Sequence, residues 1–335
     1  MWRGGDKPRG INDGNGWGLE GMSLLRMIGM IISIGVLVLT TGCTNFQRLA
    51  HIYVGDAPEA NNFHYKDGGS AIFYSFTIGN QRPDTFVFFY GGSGCPSWKY
   101  VMPGYTDGLD LPARVFVLNK RFVSDRSTGM FGCGDEFHLV NNPEQWVTDY
   151  AEFIRSQLRT SSERPKRVLL VGVSEGAEVA ATVAGLLPEV THLAIIGGGG
   201  YSMRRLLTNL KDKGVTGFDV AAGWREISAD PRSIRKSWFG NRYRWWSDVM
   251  DLDPLPYYIK LDIPIMLGIG GGDLNVPMES ALFLEQRFKE AGKQNLTLKV
   301  YPRANHQLQA GAVDYRREFF GEVTRMLKDD ERTRP

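Results

Sequence analysis

The chain has 335 residues, 42% hydrophobic and 23% charged, which excludes a disordered segment and leaves room for one elaborated domain with a large core. Its 39 basic and 37 acidic residues nearly cancel, and no stretch shows the lysine and arginine stripe that nucleic-acid binding requires. Three cysteines, without CxxC spacing and without a histidine cluster beside them, do not make a metal site.

The first 21 residues, MWRGGDKPRGINDGNGWGLEG, are polar, rich in glycine and without periodicity, so Met22 reads as a better start than Met1. Residues 22–43, MSLLRMIGMIISIGVLVLTTGC, place one charge at Arg26 before an apolar run from Met27 to Leu39 and end in small residues at Cys43. That is the layout of a secretory signal, and its uncharged run is shorter than the roughly 20 residues that span a bilayer. A membrane-anchoring helix and a buried helix are the other readings. The ending Leu39-Thr40-Thr41-Gly42-Cys43 resembles a bacterial lipobox. This resemblance implies lipidation at Cys43 and a protein held on a bacterial envelope membrane, facing the periplasm or the exterior. Export then leaves Cys95 and Cys133 as an even pair in glycine-containing loops at strand ends, and an oxidising compartment favours a disulfide over two separate buried thiols.

Residues 44–64 read as a linker or an early edge strand, and the main domain is expected over 65–330. Short apolar runs follow at 71–78, 85–90, 114–119, 167–173, 192–196, 264–269 and 297–301. Most are continuous, not alternating, which predicts strands buried on both faces of a largely parallel sheet. Helical periodicity appears between them at 143–159, 175–187, 279–291 and 311–328; in the first, Trp146, Tyr150, Phe153 and Ile154 recur near 3.6-residue spacing behind Pro143. Alternating strands and helices predict an α/β sandwich with helices on both faces. Residues 201–258, rich in tryptophan and tyrosine, break the rhythm and read as a helical insertion placed to cover a site as a lid.

Gly172-Val173-Ser174-Glu175-Gly176 follows a predicted strand and opens a predicted helix, the context in which a serine is pushed out of a sharp turn as a nucleophile. A serine hydroxyl needs a base. Of the five histidines, His306 stands after the last predicted strand and before the C-terminal helix, where a loop can hang over the serine; His138 is the second candidate. The acid that fixes the imidazole tautomer is expected at Asp273, at the tip of the strand end GIGGGD, with Asp251 and Asp253 read as surface or capping carboxylates. Oxyanion donors are expected from the backbone N–H of Glu175 and from Gly92 or Ser93 in the loop Gly91-Gly92-Ser93-Gly94. That loop lacks the GK[ST] ending of a phosphate cradle. The Glu175 side chain is left either to the pocket or to capping its helix.

YGGSG, GVSEG, GGGDLNVP and PRANH, in this order along the chain, resemble the α/β-hydrolase superfamily over roughly residues 65–330. The lid segment SIRKSWFGNRYRWWSD is similar to exported bacterial hydrolases of the dienelactone-hydrolase or prolyl-oligopeptidase-like kind. The resemblance implies a mostly parallel eight-stranded sheet, a Ser174–Asp273–His306 triad, and acyl-enzyme chemistry on a small-molecule acyl substrate without cofactor or metal. A serine hydrolase cleaving a carboxylic ester or related acyl bond is therefore expected. The alternatives are a peptidase acting on short peptides and a catalytically silent, lipid-anchored scaffold.

Overall fold

The computed structural model describes residues 58–333 except 101, 130, 131, 163 and 218; the signal-like segment with Cys43, and the linker as far as residue 57, lie outside them. Among the described residues no helix is long and apolar enough to cross a membrane.

The continuous apolar runs are strands, and their ends fall within one residue of the expected bounds. β1 (Asn61–His64), β2 (Ser70–Ile78), β3 (Thr85–Tyr90), β4 (Ala113–Leu118), β5 (Arg167–Val173) and β6 (His192–Ile196) join Ile265–Gly270 and Leu296–Tyr301 in one eight-stranded sheet. The order is β1-β2-β4-β3-β5-β6, followed by Ile265–Gly270 and then Leu296–Tyr301. β1 with β2 and β2 with β4 pair antiparallel, and every other pairing is parallel. Residues 61–64 thus form the edge strand that their sequence left undecided.

Successive side chains of a strand point to opposite faces, and here both faces are covered. In β3, Phe86, Phe88 and Tyr90 enter one core while Val87 and Phe89 enter the other. The helices Pro143–Thr160, Glu175–Ala184 and Met278–Glu290 close the first core through Phe153, Ala180 and Leu284. The helix Arg316–Thr333 closes the second through Phe319, Phe320 and Val323. No strand face at the sheet centre meets water, which is why the sequence shows runs instead of alternation.

The helix Pro143–Thr160 begins as its sequence predicts, with Pro143 in the first turn and the Asn142 side chain accepting a hydrogen bond from the Gln145 N–H at 2.9 Å. The C-terminal helix does not begin at 311. Gln309–Ala310 and Val313–Asp314 pair as a small hairpin around Gly311, which has φ +58°, and the helix starts at Arg316 behind a hydrogen bond from its N–H to Asp314. The left-handed glycine breaks the helical pattern that the apolar spacing suggested. A short helix, Asp135–Val140, was not expected, since six residues are too few to show a period.

Residues 201–258 hold the helices Met203–Asp212, Val220–Ala229, Tyr243–Val249 and Leu255–Ile259, with a two-strand hairpin at Ser237–Trp238 and Asn241–Arg242. Leu206, Leu210, Ile227, Trp245 and Trp246 pack into a cluster separate from the two cores of the sheet. The first three of these helices therefore share an apolar cluster of their own, while Tyr258 of Leu255–Ile259 packs into the first core of the sheet.

Candidate active site

β5 ends at Val173 and the next helix begins at Glu175, so Ser174 alone makes the turn. Its backbone lies at φ 56° and ψ −124°, a conformation that costs a non-glycine residue about 1–3 kcal/mol and persists only where packing enforces it. The flanking glycines do not supply the positive φ; that falls on the serine itself. They are needed for close approach. A Cβ on Gly172 would stand 2.6 Å from the Gly176 carbonyl oxygen, and one on Gly176 would stand 2.3 Å from the Gly91 carbonyl oxygen. The helix can lie against β5 and the loop after β3 only without those methyl groups, and this packing holds the serine in its turn. The Ser174 N–H donates to the Ile196 carbonyl at 2.9 Å, tying the turn to β6 as well.

Asp273 follows the strand Ile265–Gly270, and His306 lies in the loop after Leu296–Tyr301. Their side chains meet, with His306 Nδ1 and Asp273 Oδ2 2.7 Å apart. The other carboxylate oxygen, Oδ1, accepts the N–H groups of Asn275 at 2.8 Å and Val276 at 2.9 Å. The Asp273 side chain is completely buried, so those donors replace water and leave the carboxylate oriented toward the imidazole. Glycines again permit the approach: a Cβ on Gly270 would come within 2.2 Å of the Ala304 carbonyl oxygen, and one on Gly197 within 2.7 Å of His306 Cε1. Gly197 opens the run Gly197–Gly200 directly after β6.

Ser174, Glu175, Gly197, Ser93 and His306 line one cavity of about 460 Å³. The loop after β3 passes over the serine: a Cβ on Gly92 would lie 3.4 Å from Ser174 Cβ and 3.9 Å from its Oγ. Glu175 is the first residue of its helix, so its N–H has no intrahelical acceptor. The two expected sources of oxyanion donors thus flank the serine. Cys95, next in chain to this loop, is disulfide-bonded to Cys133 across 38 residues.

Other candidates lie elsewhere. His138 is in the helix Asp135–Val140, outside the wall of this cavity, and burial lowers its pKa. His192 is fully buried in β6 with Nδ1 2.8 Å from Thr191 Oγ1. Asp251 pairs with Arg204 at 2.6 Å, and Asp253 accepts from the Leu255 N–H at 3.0 Å, as surface and capping carboxylates do.

Both oxygens of the Glu175 side chain, beside the cavity, are taken up by partners from elsewhere in the chain. Its Oε2 accepts from Lys120 Nζ at 2.9 Å and its Oε1 from Trp245 Nε1 at 2.7 Å. Burial pulls the Lys120 ammonium below its usual range, and the neighbouring Glu175 carboxylate opposes that. Glu178, one turn further along the helix, lines the cavity too, and burial followed by the Glu175 and Asp253 carboxylates pushes its pKa up to about 8. An unfolded glutamate ionises near ~4.3, so the stability Glu178 contributes is fully present below that pH and is lost as pH rises through its folded pKa. Glu178→Gln should match the parent at pH 4.5 and exceed it at pH 9 by ~2–4 kcal/mol. Thermal melting at both pH values checks this; an equal gain at both would contradict it.

A profile of the prolyl oligopeptidase family matches residues 127–325. No curated protein matches the chain. Among solved structures, the acylaminoacyl peptidase of Pyrococcus horikoshii superposes with a TM-score of 0.55 at 14% identity, over 82% of this chain and 42% of that one. The chain thus spans less than half the length of that peptidase. The Pyrococcus furiosus esterase gives 0.55 at 17% identity, over 81% and 91%. Est1E from Butyrivibrio proteoclasticus gives 0.55 at 11% identity, over 82% and 99%. At these identities the likeness shows the α/β-hydrolase fold.

Proposed function

The chain belongs to the prolyl oligopeptidase family of α/β-hydrolase-fold serine hydrolases, and from that premise we propose that it cleaves carboxylic esters of small apolar acyl groups through an acyl-enzyme on Ser174. The observation that carries the reading is the Asp273–His306 hydrogen bond at the rim of the cavity into which the strained turn presents Ser174. In this reading His306 takes the Ser174 proton as Oγ attacks the acyl carbon, and Asp273 holds the imidazole with its other nitrogen toward the serine while stabilising the imidazolium. The carbonyl oxygen becomes an oxyanion received by the N–H of Glu175 and that of Gly92 or Ser93. Collapse breaks the bond to the leaving alcohol, which takes the proton from His306. Water, deprotonated by the same imidazole, then adds to the acyl-enzyme and releases the acid and Ser174.

Cavity size favours a small substrate, since 460 Å³ falls within the range of small-molecule sites. Leu206, Leu210, Phe239, Trp245 and Trp246 of the insertion contribute to its wall, which suits an apolar acyl chain. The family and the acylaminoacyl peptidase fold likeness support the rival, a peptidase acting on short peptides. A matched panel of aryl and alkyl esters, thioesters and blocked or free short peptides decides between them. Turnover of alkyl esters with no detectable cleavage of any blocked or free peptide supports our reading, since a serine peptidase also cleaves activated esters faster than amides. Cleavage of peptides would overturn it.

A further inference from the structure

We propose that the Glu175 side chain positions its own backbone N–H as an oxyanion donor, and that Lys120 from the core and Trp245 from the lid hold it there, so that the lid completes the site. The proposal rests on Ser174 being the nucleophile. Lys120 lies just beyond β4, Glu175 opens the helix after β5, and Trp245 is in the lid helix Tyr243–Val249. The three come together although 55 and 70 residues of chain separate Glu175 from its two partners. The Glu175 and Lys120 side chains are only 7% and 10% exposed, so little water is available to replace either bond.

Each partner is itself fixed. Lys120 Nζ also donates to Asn141 Oδ1 at 3.2 Å and lies 3.8 Å from the centroid of the Trp146 ring, a buried side chain of the helix Pro143–Thr160. Trp245 is 4% exposed and meets Trp246 edge-on at 4.7 Å inside the lid cluster. Moving the lid away would strip a nearly buried carboxylate of its indole donor, and an unmet buried acceptor is unfavourable. The lid and the residue after the nucleophile therefore favour each other's position. A donor must lie within a few tenths of an ångström of its place to hold a developing oxyanion, so a carboxylate clamped from two sides matters more at the adjoining N–H than in substrate binding.

The test uses the full chain on an activated ester. Trp245→Phe keeps an aromatic ring in the lid cluster but removes the indole N–H together with one ring; Glu175→Ala removes the clamp outright. Trp245→Phe should lower kcat ~3–10-fold with KM changed less than ~2-fold, a small part of the ~100-fold or greater loss seen when an oxyanion donor is deleted. Glu175→Ala should lower kcat at least as much, and adding Trp245→Phe to it should cause no further loss. The melting temperature of Trp245→Phe should fall by several degrees, because an unmet buried acceptor costs about 1–3 kcal/mol, while its fluorophosphonate labelling at one site per chain should be retained. Independent, multiplicative losses, an effect confined to KM, or unchanged kcat in Trp245→Phe would overturn the proposal. If the parent lacks Ser174 labelling, the nucleophile assignment itself fails; parent labelling with a silent Trp245→Phe defeats only the clamp.

Discussion

Replacing Ser174 by alanine is expected to lower ester turnover by roughly 10⁴–10⁶-fold and to leave the fold intact, while replacing it by glycine removes activity and raises stability. The two substitutions separate chemistry from strain. Both delete the hydroxyl, but alanine keeps a Cβ at φ 56°, whereas glycine adopts that backbone freely. Releasing a strain of order 1–3 kcal/mol should raise the melting temperature of Ser174→Gly by several degrees over Ser174→Ala. The surrounding restraint, with Gly172 and Gly176 in close contact with neighbouring backbone, does not depend on the side chain at 174. Comparable melting of the two variants would show that the turn is not strained. Turnover above about 1% of the parent in either would show that Ser174 is not the nucleophile.

Asp273→Asn should be nearly as damaging, with a loss of ~10⁴-fold in kcat. The reason lies in the donors around the carboxylate. One oxygen faces His306 Nδ1, and the other faces the N–H groups of Asn275 and Val276, so every group pointing at the side chain in the tautomer used for catalysis is a donor. An asparagine offers one acceptor and one NH₂. With the NH₂ toward the backbone it opposes two N–H groups; turned toward His306 it demands the wrong imidazole tautomer. Because the side chain is fully buried, water cannot mediate, and a stability loss of about 1–3 kcal/mol should accompany the loss of rate. Kinetics and thermal melting of the same preparation check both parts. Activity within ~10-fold of the parent would assign the orienting role elsewhere.

Much of this was legible in the chain. Strands buried on both faces write themselves as short apolar runs, and a parallel sheet gathers the residues after those runs at one end. Ser174, Asp273 and His306 each follow a run, so their convergence was readable without tertiary detail. β1 was ambiguous because Asn-Asn-Phe-His offers a single apolar residue, and only its pairing with β2 makes it a strand. The hairpin around Gly311 was hidden by apolar spacing that also fits a helix. Why glycine flanks Ser174 was not readable, since sequence cannot distinguish a glycine required by φ from one required by a neighbour's backbone. Lys120 and Trp245 carried no signal at all: their meeting at Glu175 depends on how the insertion packs over the sheet. Glu178 could have been found, because position i+4 from Ser174 on a helix opening at the site must lie near the cavity.

The most direct test of the account is fluorophosphonate labelling of the folded, disulfide-intact protein, with the adduct located by peptide mass spectrometry. One adduct per chain on Ser174, absent from Ser174→Ala and from heat-denatured protein, is the predicted result. No adduct on the folded protein, or an adduct on another residue that persists in Ser174→Ala, would contradict it.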